Sequence, residues 1–362
     1  MSDKATIVSG NDGAELLMNS YRPLVTNEDG KIYLSGFKKV NGEFVRDPEQ
    51  PVINSMLRED EWETIDAAVL GAAHFPLFGI ADLRARGLVE SVSSIGTLLS
   101  TWYMSSELTA AERNMTGRAR GTRDLPDMTQ ASVPLPVTFK EFGVDARFLA
   151  ASRLMGNGID TTTAVEAARV VAESLEDLLF NGDTGVNFQG NVVYGYTNHP
   201  DRATDTAGNY GGGDCGTIAN ITPTIGGMLQ VVENTNRHYG PFVCYISETQ
   251  YDQAAQTYYS DGSNAAETAL MRLKRTYGTG SEGTGQITAF KKMPANILAD
   301  GNILLVQMTS DVVVWSETFG PQVREWRTGD GMESNWRVMT IAAPKIKARQ
   351  DGKSGIVHAT GA

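Results

Sequence analysis

The sequence predicts an α+β protein in which one long helix and several strands accompany an irregular, glycine-rich middle. Three observations lead to this prediction. Residues 160–181 carry the strongest helical pattern in the chain, residues 88–147 alternate like a long two-stranded ribbon, and short apolar runs after residue 300 have the length and composition of strands.

The composition is that of a globular protein, with 41% hydrophobic and 20% charged residues among 362. No apolar run approaches the roughly 20 residues of a membrane span, and the first residues lack an apolar signal-peptide core. We therefore expect a chain made in the cytoplasm, without a membrane partner. The two cysteines, Cys215 and Cys244, are not expected to form a disulfide there.

The formal net charge of −12 argues against a protein that binds nucleic acid over its whole surface, because phosphate binding needs clustered lysine and arginine. The same charge is compatible with a container for DNA, since an acidic wall lets packed DNA slide.

The first part of the chain separates into an arm and a helix. Residues 1–57 predict an extended arm, with short strand-like pieces between turn signals such as Asn41-Gly42 and no helical stripe. Residues 58–87 begin with a helix from about Arg58 to Ala73, which is closed by Phe75-Pro76.

Residues 88–147 predict an extended loop built as a two-stranded ribbon. Its outgoing strand runs from Ser94 to Leu108, and its returning strand is expected to place alternate residues on one face. Those alternating residues are Val133, Leu135, Val137 and Phe139. A ribbon this long is marginally stable alone in water, so it should lie on something else.

The tip of this loop carries arginines interleaved with acidic residues, so its local charge is near zero. Salt bridges to a neighbouring subunit fit this pattern better than a patch for DNA does. The candidate contact residues are Arg113, Arg118, Arg120, Arg123, Glu112, Asp124 and Asp127.

Residues 148–182 contain the long helix, predicted from Asp160 to Asn181 and roughly 30 Å in length. Thr163 and Glu166 have the spacing of a capping box, and Asn181-Gly182 supplies a stop. One apolar stripe is formed by Val165, Ala168, Ala172, Leu175 and Leu179. The acidic cluster Glu173, Glu176 and Asp177 is interpreted as part of a solvated face.

Residues 183–300 form the irregular middle, with glycine-rich loops at residues 208–216 and 278–285. The remaining elements are predicted as helices near Thr222–Asn236 and Glu248–Thr257, a buried strand Phe242–Ser247, and strands of one sheet at Ile303–Met308, Val312–Trp315, Val323–Trp326 and Trp336–Ile341. Those last strands belong to residues 301–345, and residues 346–362 are expected to form a tail. The basic residues expected in the tail after Pro344 are Lys345, Lys347, Arg349 and Lys353.

No pattern in the chain indicates catalysis. The glycine-rich loops lack the Gly-Lys-Ser/Thr ending of a phosphate-binding loop and the dinucleotide fingerprint. The four histidines show no pair at metal-ligand spacing, and there is no Gly-x-Ser-x-Gly motif. We predict a protein that is not an enzyme, with no catalytic, cofactor-binding or metal-binding residue.

Four short segments resemble a known family. Residues 57–66 are similar to the acidic first helix of encapsulin-like (linocin-type) shell proteins, and residues 176–182 resemble the end of their spine helix. Tyr239 to Phe242 and Ser316 to Phe319 resemble the entry to a central strand and the closing sheet. In this order they resemble the tailed-phage major capsid fold, of which encapsulins are one branch.

The resemblance implies a peripheral domain of spine helix and sheet, an axial domain over residues 183–300, an extended loop and an N-terminal arm. Copies would form pentamers and hexamers, with the loop lying over an adjacent subunit. The axial-loop glycines expected at the capsomer centre are Gly211, Gly212, Gly213, Gly280 and Gly283.

The function that the resemblance implies is an icosahedral virion capsid, assembled in the host cytoplasm around non-specifically bound double-stranded DNA. Portal, scaffolding and decoration proteins are further expected partners. The alternative is an encapsulin compartment that holds an enzyme cargo. The arm before the first helix and the residues after 345 favour the capsid, because encapsulins of this branch begin near the first helix.

Overall fold

The structure is a computed structural model. It describes residues 24–26, 32–34, 37–40, 43–46, 65, 67–69, 71, 78–92, 94–113, 115–116, 121, 123–145, 147, 161–213, 217–258, 267–279, 286–327 and 333–362. Trp62 and most of the predicted first helix lie outside these ranges. Within that predicted helix, Ile65 and Val69 are helical and buried.

The chain divides into two compact units. The first comprises Met1–Leu77, Val137–Leu175 and Glu317–Ala342, and the second comprises Phe78–Pro136, Glu176–Ser316 and Ala343–Ala362. The helices are α1 (Gly79–Ala85), α2 (Thr162–Phe180), α3 (Ile218–Gln230) with a π-helical extension (Val231–Thr235), α4 (Glu248–Gln256) and α5 (Ala269–Tyr277). The first eight strands are β1 (Leu24–Thr26), β2 (Ile32–Leu34), β3 (Phe37–Val40), β4 (Glu43–Arg46), β5 (Val89–Ser91), β6 (Leu99–Ser105), β7 (Met128–Pro134) and β8 (Val137–Asp145). The others are β9 (Asp183–Phe188), β10 (Asn191–Val193), β11 (Ala203–Thr206), β12 (Phe242–Ser247), β13 (Ile287–Met293), β14 (Ile303–Gln307), β15 (Val313–Arg327), β16 (Glu333–Ile346) and β17 (Ile356–Thr360).

The core of the second unit is a mixed five-stranded sheet in the order β11-β17-β14-β12-β13. Strand β12 is central and every one of its residues is buried, which explains why its sequence is an unbroken apolar run. Strand β12 runs antiparallel to β14 and parallel to β13. Helices α3 and α5 contribute Ile225, Met228 and Leu273 to the same hydrophobic core.

A second sheet has the order β5-β15-β16-β8. In the first unit, β8 pairs antiparallel with β16 over nine consecutive residue pairs. Phe142 stacks on Trp336 across this pair with ring centroids 5.7 Å apart, and the guanidinium of Arg337 lies 4.4 Å from the centroid of the Phe139 ring. These cross-strand contacts stabilise the pairing of β8 with β16 in the first unit.

Helix α2 confirms the predicted spine, with corrections at its start and on one face. Ala168, Ala172, Leu175 and Leu179 are buried as the stripe predicts. Thr163 is the second residue of the helix, so the capping-box interpretation is wrong. Glu176 is only 1% exposed, so its assignment to a solvated face is wrong as well.

The predicted ribbon is shorter than its sequence pattern suggests. Strand β6 pairs antiparallel with β7, from Leu99 opposite Pro134 to Ser105 opposite Met128. After Leu135-Pro136 the chain enters β8, which pairs with β16 and not with β6. Val137 and Phe139 are therefore half-exposed and do not continue the buried face of Val133 and Leu135.

The closing part of the chain also differs from its prediction. The four predicted strands lie in two sheets, because β14 belongs to the five-stranded sheet while β15 and β16 belong to the other. Residues 346–362 are not a free tail, since β17 pairs with both β11 and β14 inside the five-stranded sheet. Helices α1 and α5 were not predicted from the sequence.

Candidate functional site

The base of the extended loop is attached to the second unit by a buried lysine. Lys345 is 4% exposed, and its Nζ lies 2.9 Å from Oε2 of Glu90 and 3.2 Å from the carbonyl oxygen of Thr101. The same Nζ lies 5.5 Å from the centroid of the Trp102 ring. A buried ammonium needs such partners, and here they hold strand β6 against the end of β16.

Past the two strands, the loop is joined across its width by hydrogen bonds. The backbone N–H of Ser106 donates to the carbonyl of Asp127, and the backbone N–H of Asp127 donates to Oγ of Ser106, each at 2.9 Å. The backbone N–H of Thr109 donates to Oδ2 of Asp124 at 2.7 Å. This bond is the main cause that lowers the pKa of Asp124 below its ordinary value.

The far half of the loop presents a surface of large apolar side chains to solvent. Leu125 is 87% exposed, and Leu108, Met115 and Met128 are each more than half exposed. We call these four residues the loop-tip surface. Isolated exposed apolar residues are common on proteins, and here four of them lie within 21 residues of one loop.

The sequence-predicted contact residues lie on the same loop. Glu112, Arg113 and Arg123 are exposed, as are Asp124 and Asp127 near its root. Arg118 and Arg120 lie outside the described residues. The structure therefore brings the described members to one excursion of the chain, with Asp124 engaged by the loop's own backbone.

The glycine loop at residues 208–213 is packed closely onto helix α3. A Cβ on Gly212 would lie 1.7 Å from Oγ1 of Thr224, and a Cβ on Gly227 would lie 1.9 Å from the carbonyl oxygen of Tyr210. Gly211 is exposed with a φ of +89°, and Gly213 is half-buried. Gly212 is therefore fixed by close packing against α3. Gly280 and Gly283 lie outside the described residues.

A buried polar cluster, missed by the sequence reasoning, joins the spine helix to α1. The carboxylate of Glu176 accepts hydrogen bonds from the backbone N–H groups of Gly79 and Ile80. Burial raises the pKa of Glu176 to about 7, despite these donors. Nearby, Asp82 accepts a hydrogen bond from the hydroxyl of Tyr245 at 3.1 Å and pairs with Nζ of Lys291 at 2.7 Å.

The described part of the chain contains no group of three histidine, cysteine, aspartate or glutamate side chains arranged to hold a metal ion. No helix within the described ranges is long and apolar enough to cross a membrane. The thiol of Cys244 is buried in strand β12 and forms no disulfide, and Cys215 lies outside the described residues.

Residues 53–359 match a family described as a family of unknown function, DUF6260. The chain belongs to this family. A curated relative is the type 1 encapsulin shell protein EncA of Myxococcus xanthus (strain DK1622), which is 22% identical over 219 residues, or 59% of this chain and 68% of the relative.

Solved structures with the same fold include capsids and a virus-like particle. The virus-like particle of Pyrococcus furiosus is 13% identical with a TM-score of 0.54, and covers 82% of this DUF6260 chain and 98% of its own. The capsid of Myoviridae phage XM1 is 12% identical with a TM-score of 0.54, and the match covers 77% of this chain and 92% of the phage protein. A native GTA particle capsid is 13% identical with a TM-score of 0.53, and the match covers 79% of this chain and 91% of the capsid chain. The fold is therefore the tailed-phage major capsid fold that the sequence predicted.

Proposed function

We propose that this DUF6260 protein is the subunit of an icosahedral shell that encloses the double-stranded DNA of a tailed phage. The fold supports a shell-forming role, because its structural neighbours are capsids and a virus-like particle. The named relatives are structural proteins and not enzymes, which supports a role without catalysis.

The observation that carries this proposal is the extended loop. Its base is held by Lys345 and by the packing of β6 and β7, while the loop-tip surface has no core of its own. Burying a side chain such as Leu125 or Met115 contributes about 1.5–3 kcal/mol. In a shell built from many copies of the chain, a neighbouring copy would cover the loop-tip surface of each subunit.

Charged and glycine contacts would complete the assembly. In the proposed pentamers and hexamers, Arg113, Arg123 and Glu112 meet charges of a neighbouring loop or unit, and Gly211 faces the capsomer centre. Each exposed ion pair contributes only about 0–1 kcal/mol, so the apolar surface provides most of the affinity. Portal, scaffolding and decoration proteins are the further partners of such a capsid.

An encapsulin compartment around a protein cargo is the alternative, and the curated relative EncA favours it. Two antiparallel hairpins, β1 with β2 and β3 with β4, precede residue 53, where the family match begins. Segments ahead of the shared fold are suited to reach across neighbouring subunits, which favours a capsid. Particles isolated from the natural source separate the two: nuclease-protected double-stranded DNA supports the capsid, and a co-purifying enzyme with no nucleic acid supports the compartment.

The assembly role of the loop is tested by Leu108→Ser with Leu125→Ser. We expect this variant to lose shells while its melting temperature stays close to that of the unchanged chain, because neither side chain lies in a core. Val170→Ser, which changes a half-exposed residue of α2, is the matched control and should assemble. Normal shells from the double variant would contradict the proposal.

A further inference from the structure

A cluster of three charged residues lies where the extended loop leaves the second unit. Building on the proposed function, we propose that Glu107, Arg237 and Arg349 form a clasp that fixes the direction of the loop, and that the loop changes direction when the clasp opens. The shell function and the clasp are separate claims, because the clasp acts within one chain.

The clasp joins the loop to two elements of the unit. Glu107 lies two residues beyond the end of β6, and its Oε1 is paired with Nη1 of Arg349. Its Oε2 lies 3.6 Å from Nη1 of Arg237. One carboxylate therefore bridges two guanidinium groups, so that both of its oxygens are used.

Both arginines are held by the backbone around them. Arg237 has a φ of +56°, in the left-handed region that non-glycine residues adopt rarely and at a cost of about 1 kcal/mol. Arg349 begins a tight turn, in which its N–H donates to the carbonyl of Lys353 and its carbonyl accepts from Gly352, each at 3.0 Å. The two positive charges are thus presented from ordered backbone.

Two further cations near this cleft have partners of their own. Nζ of Lys353 pairs with Asp351 at 2.6 Å, and Nζ of Lys347 donates to the carbonyl of Ser310 at 2.8 Å. His238, in the same cleft, has a pKa lowered by burial, so its ring is neutral near pH 7. Asp311 also lines this cleft, but the described ion pairs of both arginines are with Glu107.

The position of the clasp decides what it controls. On one side of it, Lys345 attaches the ribbon at Thr101. The hydrogen bonds of Ser106 with Asp127, just before Glu107, and of Thr109 with Asp124, just after it, lie within the loop itself. The clasp is thus the outermost described ion pair between the loop and the rest of the unit, and its loss lets the part of the loop that carries Leu108 and Leu125 change direction.

The clasp is sensitive to salt because its members are partly exposed. Charges in contact with solvent are screened over about 10 Å at 0.1 M salt and about 3 Å at 1 M. Exposed ion pairs contribute up to about 1 kcal/mol, so opening changes the held population by up to about fivefold. High salt should therefore release the loop without unfolding the chain.

The test measures loop direction by the distance between two spin labels in the full chain. Met115→Cys labels the loop, and Gly208→Cys labels the unit at a position where a side chain meets open space. Both are made with Cys215→Ser, and labelled chain is diluted in unlabelled chain so that only distances within one chain are read. Glu107→Gln should broaden and shift the distance distribution at 0.1 M salt, and should abolish the further change that 1 M salt causes.

Controls separate the clasp from a general effect of charge. Asp127→Asn removes one negative charge from the same loop and should leave the distribution unchanged. Arg349→Gln combined with Glu107→Gln should change it no more than Glu107→Gln alone. An unchanged distribution in Glu107→Gln, or an equal change in Asp127→Asn, overturns the clasp. Light scattering on unlabelled chains that keep Met115 reports assembly, so failure to form shells is read independently.

Discussion

The buried carboxylate of Glu176 accepts a hydrogen bond from the backbone N–H of Gly79, joining the end of the spine helix to the start of α1. Only glycine permits this approach, because a Cβ on residue 79 would lie 2.8 Å from a ring carbon of Phe180. The contact ties together parts of the chain 97 residues apart, within the unit that also carries the extended loop.

Glu176→Gln should remove a pH dependence of stability. The folded pKa of Glu176 is about 7, above its ordinary value of 4.5, because burial disfavours the charged form. The contribution of Glu176 to the free energy of unfolding is therefore greatest below pH 4.5 and is lost as the pH rises through 7, a change of up to about 3 kcal/mol. In urea titrations from pH 4 to 8, the free energy of unfolding of the unchanged chain should fall by that amount relative to the variant between pH 4.5 and 7. Identical pH profiles for the two chains would contradict the role of Glu176.

His358→Gln should remove a pH dependence of the opposite sign. Nδ1 of His358 accepts from Nε of Arg202 at 3.5 Å, since arginine can only donate, and Nε2 then donates to Oδ1 of Asn302 at 3.2 Å. Burial, followed by the charge of Arg202, lowers the pKa of His358 from 6.5 to about 4.

Its contribution to stability is thus fully present above pH 6.5 and is lost as the pH falls through 4, by up to about 3 kcal/mol. In the unchanged chain the opposing effects of Glu176 and His358 partly cancel between pH 4.5 and 6.5. The Glu176→Gln variant should therefore gain stability with rising pH in that range. A flat profile for this variant would contradict the role of His358.

Leu175→Asp should prevent folding, whereas Glu173→Ala should be nearly silent. Leu175 is buried, and an unpaired charge at that position costs several kcal/mol. Glu173 lies on the other face, 3.6 Å from Nη1 of Arg169 in an exposed pair worth about 0.3–0.5 kcal/mol. Soluble yield and melting temperature compare the two, and equal losses would show that the faces of α2 are assigned wrongly.

Gly212→Ala should destabilise the second unit by about 1–3 kcal/mol, the range found for overpacked interiors. Its Cβ would collide with Thr224 and with the carbonyl of Asn220, which lies 2.6 Å away. Gly208→Ala is the control, because a Cβ there meets nothing within 4 Å. A shared melting temperature for the two variants would mean that the loop moves freely off α3.

The sequence predicts the parts of this fold whose pattern is long or uniform. The apolar stripe of α2 and the continuous run of β12 are both confirmed, because 19 helical residues and six buried strand residues repeat one environment. The burial of Glu176 was also readable, since it lies four residues after the buried Ala172 and so on the same face. Grouping it with Glu173 and Asp177 as surface charge concealed this.

The sequence does contain a signal for the end of the ribbon, although the alternating apolar residues continue past it. Pro134 and Pro136 flank Leu135, and proline lacks the N–H that a continuing strand pair needs. The clasp at Glu107 and the buried Lys345 had no local signal, because their partners lie 130 to 255 residues away along the chain. Contacts of that range come from the topology of the sheets, which no short pattern contains.

Electron microscopy of the purified full-length chain tests the central claim most directly. A shell subunit should form closed particles of uniform diameter, and light scattering should give a mass of many copies. The same preparation with Leu108→Ser and Leu125→Ser should yield folded protein without closed particles. A monodisperse monomer of the unchanged chain under all conditions of salt and pH would contradict the account.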